Sequence, residues 1–114
     1  MNANDQLMEH TSSDNYYKTM FPGLVHTDGV YLLCEKFKCW WFLDIVLSYQ
    51  GNKKVLAEEF QVWKLKRKGD TAVVACEDGN DNVVVSQKIP FTDFEADEAT
   101  VWVENKVIML PSER

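Results

Sequence analysis

The chain has little of what identifies secreted or membrane-spanning proteins. Its longest apolar run, residues 39–47, is interrupted by Asp44 and is far shorter than the roughly 20 residues that a membrane-spanning helix needs. Residues 1–5 contain no basic region followed by an apolar segment, which is the pattern of a secretion signal. We therefore expect a cytoplasmic protein that does not associate with a membrane.

Cysteine and histidine are also scarce, with three cysteines and two histidines. Cys34, Cys39 and Cys76 cannot all pair within one chain, so we expect reduced, buried thiols. Neither His10 nor His26 stands at a spacing typical of metal ligands. The sequence has no glycine-rich phosphate loop and no nucleotide-binding fingerprint, and it predicts no metal, no cofactor and no catalytic residue.

The charge balance is acidic. A net charge of −6 argues against direct nucleic-acid binding, because phosphate contacts need a basic surface. One basic cluster is predicted to be the solvated end of a strand and its turn: Lys64, Lys66, Arg67 and Lys68. A predicted acidic belt either solubilises the protein or docks to a basic partner: Glu77, Asp78, Asp81, Glu95, Asp97 and Glu98.

The N-terminal half has the pattern of helices. Residues 15–20 follow several side chains of the helix-capping type and are predicted to form a helical turn. The next helix begins at Thr27 or Asp28. Residues 39–49 are apolar nearly all round, so they are predicted to form the central buried helix, with residues 51–52 as its C-terminal cap.

From residue 58 onward the chain has the composition of β-strands. Turn residues separate five predicted strands: 60–65, 71–76, 82–89, 100–103 and 107–110. Helices followed by strands predict an α+β fold, in which two or three N-terminal helices pack on a C-terminal antiparallel sheet of about five strands. With 114 residues, 46% of them hydrophobic, we expect one domain over residues 1–114, of which residues 1–12 could be flexible.

Asp44 and the segment around His26 are candidate site residues. Asp44 is either a solvent-facing acid, with Ser48 one turn later as a candidate hydrogen-bond partner, or a polar anchor in a cleft. The start of a helix at Thr27 and Asp28 could hold an anion, with His26 as an acid or base. The alternative is an ordinary helix cap with a surface histidine beside it.

Large aromatic side chains are numerous for this length. An exposed group of them would mark a protein interface, since Trp and Tyr dominate binding energy there; ordinary core packing is the alternative. The residues concerned are Tyr16, Tyr17, Trp40, Trp41, Tyr49, Trp63 and Trp102.

Several segments together resemble a bacterial family of uncharacterised proteins, catalogued as a domain of unknown function. They are Tyr16 and Tyr17, LVHTDGV (24–30), WFLD (41–44), SYQ (48–50), FQVWKL (60–65), CEDGN (76–80), FTDF (91–94) and LPSE (110–113). The resemblance runs from about Tyr16 to the C-terminus. It implies a compact, stand-alone bacterial protein and supplies no reaction, cofactor or catalytic residue.

Three functional hypotheses remain open. The first is a non-catalytic protein-binding module that uses Tyr16, Tyr17, Trp41 and Asp44. The second is a small enzyme or ligand-binding protein with a cleft at His26, Asp28 and Asp44. The third is an acidic mimic of nucleic acid, made by a mobile element to occupy a DNA-binding or defence protein. A homodimer is compatible with all three.

Overall fold

The computed structural model describes residues 2–7 and 15–114. Within these residues it contains three α-helices, seven β-strands and two 3₁₀ turns. The helices are α1 (Asp28–Phe37), α2 (Trp40–Ser48) and α3 (Lys53–Leu56), and the 3₁₀ turns are Ala3–Leu7 and Pro111–Glu113. The strands are β1 (Tyr16–Lys18), β2 (Val25–Thr27), β3 (Phe60–Lys68), β4 (Thr71–Glu77), β5 (Val83–Ile89), β6 (Glu98–Glu104) and β7 (Val107–Met109).

The described strands form one sheet in the order β1-β2-β7-β6-β3-β4-β5. Neighbouring strands are antiparallel, except that β2 and β7 are parallel. The N-terminal helices pack on one face, so the predicted α+β fold is confirmed. The five predicted strands correspond to β3–β7, and the sheet is larger than expected by β1 and β2.

The predicted helical turn at residues 15–20 is wrong, because this segment contains strand β1. Its residues pair with β2, with Tyr17 opposite His26. Two strands of three residues each are too short to show an alternating pattern, and their pairing partners decide their conformation. The expected capping residues 11–14, and half of the segment 1–12 that could be flexible, lie outside the described residues.

Helix α2 is less buried than predicted. Phe42, Leu43 and Val46 face the core, whereas Asp44 and Ser48 are exposed. Helix α2 therefore has one buried side and one exposed side, and it is not a central helix enclosed on all sides. Its end at Ser48 agrees with the predicted end near residue 49. The predicted cap at residues 51–52 is wrong, because Tyr49 is the C-cap residue and Asn52 caps the start of α3 by accepting hydrogen bonds from the backbone amides of Lys54 and Val55.

A buried network of amide side chains joins the helices to the sheet. Gln50 Nε2 donates to Gln61 Oε1 over 2.9 Å, and Gln61 Nε2 donates back to Gln50 Oε1 over 3.2 Å. The same two amides also donate to the carbonyls of Val46 and Val55, while Trp63 Nε1 donates to Gln61 Oε1 over 2.9 Å. These contacts satisfy polar groups that would otherwise be costly to bury.

We expect Gln61→Leu to lower the free energy of unfolding by about 1–3 kcal/mol, because it leaves Gln50 and the Trp63 indole without their partner. Urea unfolding measures this change. The exposed Gln87→Leu is the control and should change stability by less than about 0.5 kcal/mol. Combining Gln50→Leu with Gln61→Leu should cost less than the sum of the two single variants, and strict additivity would contradict the network.

Candidate functional site

Four rings from four different elements meet beside the edge strand β1. Tyr17 stacks on His26 with ring centroids 5.1 Å apart, and on Tyr31 at 5.2 Å. Trp40 meets His26 and Tyr31 edge-on, at 5.8 and 5.6 Å. We call Tyr17, His26, Tyr31 and Trp40 the aromatic cluster. Stacked and edge-on pairs of this kind are favourable beyond the area that they bury.

Carboxylates fix the polar edges of two of these rings. Tyr17 Oη donates to Asp28 Oδ1 over 2.9 Å, and this bond is the main cause that raises the pKa of the Tyr17 phenol above its usual value. Trp40 Nε1 donates to Glu35 Oε1 over 2.8 Å. Asp28 also accepts from the backbone amide of Asn15 over 3.0 Å. The cluster is thus held in place and bordered by negative charge.

His26 is buried and not the surface histidine that the sequence predicts. Only 5% of it is exposed, because the ring lies between Tyr17 and Trp40. Its Nδ1 lies 3.1 Å from the carbonyl oxygen of Thr27, an acceptor, so Nδ1 carries a proton in this contact. The imidazole therefore serves as part of the packing of the cluster.

The start of α1, predicted to be a helix cap or an anion site, binds a carboxylate of the chain itself. Thr27 caps the helix as expected and accepts a hydrogen bond from the Val30 amide. Glu113 Oε1 accepts from Thr27 Oγ1 over 2.6 Å and from the Leu110 amide over 2.9 Å. Glu113 Oε2 accepts from the Gly29 amide over 3.2 Å. Negative charge is favourable at a helix N-terminus, so Glu113 fills the place that a bound anion would take.

Asp44 is exposed, which agrees with the solvent-facing alternative. It lines a shallow cavity of about 300 Å³ together with Met20, Phe21, Leu47 and Ser48. Ser48 does not serve as its partner there, because its hydroxyl donates to the Ile45 carbonyl over 2.7 Å. Asp44 follows Trp40 by four residues and so lies one turn further along the same side of α2.

The structure thus brings Tyr17, His26 and Asp28 together, whereas the other predicted residues lie around them. Trp41 is half-buried on α2. Tyr16 is 60% exposed and faces the opposite side of β1 from Tyr17, because side chains alternate along a strand.

The sequence did not single out two exposed side chains, one in the aromatic cluster and one in the cavity beside Asp44. Tyr31 is 39% exposed and Met20 is 90% exposed. The position of Tyr31, three residues after Asp28 on α1, was a usable signal, since residues at that spacing share a helix face.

A larger cavity, of about 580 Å³, opens between the helices and one end of the sheet. Its lining includes the buried Gln50 and Gln61, apolar Leu56 and Val103, and Glu58 at the edge. A volume of this size suits a small ligand. None of the predicted site residues lines this cavity, and the amide hydrogens of both glutamines are already donated within the protein.

The three thiols are buried and unpaired, as predicted. Burial, aided by the nearby carboxylates of Glu58 and Glu77, raises the pKa of Cys76 to about 12. A contact with Cys39, followed by burial, raises the pKa of Cys34. Because the thiolate is the reactive form, neither of these two cysteines offers a nucleophile at neutral pH.

Basic partners interrupt the predicted acidic belt. Lys64 Nζ lies 3.0 Å from Glu77, and Arg67 Nη2 lies 3.1 Å from Asp97. The basic cluster belongs to the last part of β3, as expected. Among the described residues, no group of three or more His, Cys, Asp or Glu side chains could hold a metal ion, and no helix is long and apolar enough to cross a membrane.

These features define a two-layer α+β protein with an aromatic, acid-bordered surface beside an edge strand. The chain belongs to a family of unknown function (DUF6876), whose model matches residues 1–114. The resemblance to a domain of unknown function is therefore confirmed; its start at about Tyr16 and its bacterial origin stay predictions. No curated protein and no solved structure matches the chain.

We expect all three thiols of the folded protein to resist iodoacetamide at pH 8, because they are buried and the pKa values of Cys34 and Cys76 are raised. Mass spectrometry counts the modified residues, and the urea-unfolded protein serves as the control, in which every thiol should react. Rapid labelling of any cysteine in the folded protein would contradict this assignment.

We expect Glu113→Ala to lower the free energy of unfolding by about 1–3 kcal/mol, since two donors at the start of α1 and the Leu110 amide lose a charged acceptor. Urea unfolding at pH 7 measures the effect. Glu95→Ala removes an exposed carboxylate and should change stability by less than about 0.5 kcal/mol. Equal effects of the two variants would show that the Glu113 contacts contribute nothing.

Proposed function

We propose that this protein is a non-catalytic protein-binding module whose partner docks on the aromatic cluster. One observation carries the proposal: rings from β1, β2, α1 and α2 are packed into a single group at the edge of the sheet, with Tyr31 still 39% exposed. Tyr and Trp side chains held in this manner are typical of the residues that dominate binding energy at interfaces.

The position of the cluster supports docking of a protein segment. Strand β1 stands at one end of the described sheet, and edge strands are common sites for added strands. Met20, which follows β1 in the chain, is 90% exposed, although a large apolar side chain gains free energy when it is covered. A partner that lies along β1 would cover Met20 and the exposed part of Tyr31.

The charge around the cluster favours a basic partner. Asp28 and Glu35 hold its rings through hydrogen bonds, and Asp44 is exposed one helical turn beyond Trp40. Together with the net charge of −6, these carboxylates would steer a positively charged surface towards the site. We infer a partner that combines an apolar anchor with basic side chains next to it.

The contacts of His26, Asp28 and Asp44, which were predicted to line a cleft, favour binding over catalysis. Asp28 accepts hydrogen bonds from Tyr17 and Asn15, and His26 is buried between two rings. Asp44 lines a different, shallow cavity. An acid–base pair needs side chains within reach of a substrate, and these three residues do not offer that arrangement.

A small-molecule binding protein is the second candidate, and it is favoured by the cavity of about 580 Å³ beside Gln50 and Gln61. The acidic mimic is weaker, because Lys64 and Arg67 pair with members of the acidic belt and so break up a continuous negative surface. A bacterial, cytoplasmic setting, which the resemblance and the sequence suggest, makes a bacterial lysate the first source of partners.

The test is an affinity pull-down from bacterial lysate, with and without nuclease treatment, using three tagged baits and read by mass spectrometry. We expect the wild-type protein to retain a partner that Tyr31→Ser combined with Met20→Ser loses by about tenfold or more, because large aromatic and apolar contacts at an interface contribute over 1 kcal/mol. Phe91→Ser, at a residue 71% exposed elsewhere, is the matched control and should retain the partner.

Three results would count against the proposal. The first is recovery of no partner by any bait, which would shift attention to the large cavity. The second is equal retention by all three baits, which would exclude the aromatic cluster. The third is binding that disappears with nuclease treatment. Light scattering of the same variants distinguishes a second copy of the chain from a different partner protein.

A further inference from the structure

A second group of side chains stands on the face of the sheet that the helices do not cover. Along β3 and β6 the alternate residues Trp63 and Val101 are buried, so their neighbours point away from the helices. Phe60 lies directly opposite Glu104 in the pairing of these strands. The rings of Phe60 and Trp102 meet edge-on, with centroids 5.0 Å apart. Two rings and a carboxylate thus share one small area.

The guanidinium of Arg114 occupies this area. Its Nε donates to Glu104 Oε1 over 3.2 Å, and its Nη2 donates to Glu104 Oε2 over 3.1 Å. The central carbon of the guanidinium lies 5.1 Å from the centre of the Phe60 ring and 5.7 Å from that of Trp102. Both carboxylate oxygens of Glu104 therefore bind a planar cation, and two aromatic rings lie against that cation.

We propose that Phe60, Trp102 and Glu104 form a guanidinium-binding site, which Arg114 fills within the chain and which an arginine side chain of a partner protein fills after displacing it. The forked pair of hydrogen bonds matches the planar guanidinium and not the single ammonium of lysine. The aromatic rings add cation–π attraction. The site therefore selects arginine by shape as well as by charge.

The surface next to the site has room for residues that flank such an arginine. A groove of about 500 Å³ extends from Phe60, Trp102 and Arg114 to Asn4, Gly79 and Asp81. Asp81 is exposed and adds a second carboxylate at the far end. Lys64 also lines the groove, but its ammonium pairs with Glu77 over 3.0 Å. Once Arg114 has moved away, Asp81 in the groove and Glu104 beside it are carboxylates that complement a basic peptide.

Displacement of Arg114 is inexpensive. Its side chain is 54% exposed and that of Glu104 is 25% exposed, so a competing guanidinium from solution can reach the pair and remake the same contacts. Glu113 holds the turn Pro111–Glu113 separately, through Thr27, Gly29 and Leu110. The arginine can consequently leave the rings while the rest of the turn stays anchored. This site is independent of the aromatic cluster, which lies on the helix-covered side of the sheet.

The test compares the binding of N-acetyl-arginine amide to the wild-type protein and to Arg114→Ala, followed by NMR at the Trp102 indole and the Glu104 amide. We expect Arg114→Ala to bind the probe about tenfold more tightly, because the competing side chain is gone. N-acetyl-citrulline amide, which has the same shape without the charge, should produce no shifts, and N-acetyl-lysine amide should bind more weakly than the arginine probe.

A second variant tests whether the carboxylate of Glu104 is responsible for binding the arginine probe. In the double variant Arg114→Ala with Glu104→Gln, the second substitution keeps the size of the Glu104 side chain but removes its charge. This double variant should lose binding of the arginine probe. Retained binding in this double variant would overturn the proposal. Equal affinity of the wild-type protein and Arg114→Ala would overturn it as well, because Arg114 would then not compete for the site.

Discussion

The carboxylate of Glu113 is the contact on which the arrangement around α1 depends. Thr27 is both the last residue of β2 and the cap of α1, so whatever fixes its hydroxyl fixes the junction between sheet and helix. Glu113 binds that hydroxyl and the Gly29 amide from the other end of the chain. A Cβ on Gly29 would lie 2.5 Å from Glu113 Oε1, so the close approach requires glycine here. Because β2 and β7 are parallel neighbours, the same contact also closes the turn after β7 onto the helix.

Some elements of this fold leave a local pattern in the sequence, and others do not. Strands β3–β7 and helix α1 follow from alternation, turn residues and helical spacing, and they were predicted. Strands β1 and β2 were not, since residues of the helix-capping type precede β1 and a helix start follows β2. The conformation of β2 comes from pairing with the distant β7, and β1 pairs with β2 in turn. The same limit applies at the site. The spacing around Thr27 predicts a cap, but Glu113, 86 residues away, leaves no local signal.

The two faces of the sheet present their aromatic residues in different ways. On the helix-covered side, Tyr17 and Trp40 have given their polar hydrogens to Asp28 and Glu35, so their remaining surface is apolar and is best covered by an apolar partner. On the other side, Phe60 and Trp102 hold a cation. Similar residue types thus serve two chemistries, and the position of the neighbouring carboxylate decides which. Asp28 and Glu35 accept the polar hydrogens of their rings, whereas Glu104 accepts those of the guanidinium that lies over Phe60 and Trp102.

Preorganisation links the architecture of the aromatic cluster to the binding role that we propose for it. Ordering a flexible, rotamer-rich side chain at an interface costs about 0.5–1.5 kcal/mol, and this cost reduces the affinity of loosely held surfaces. Tyr17 stacks on two rings and donates to Asp28, and Trp40 contacts two rings and donates to Glu35. Their ordering is therefore complete before a partner arrives. Met20, at 90% exposure, has no comparable support, so it adapts to the partner while the rings supply the fixed surface. A binding site with rigid aromatic anchors beside a flexible methionine combines a preformed contact with some tolerance for the shape of what it meets.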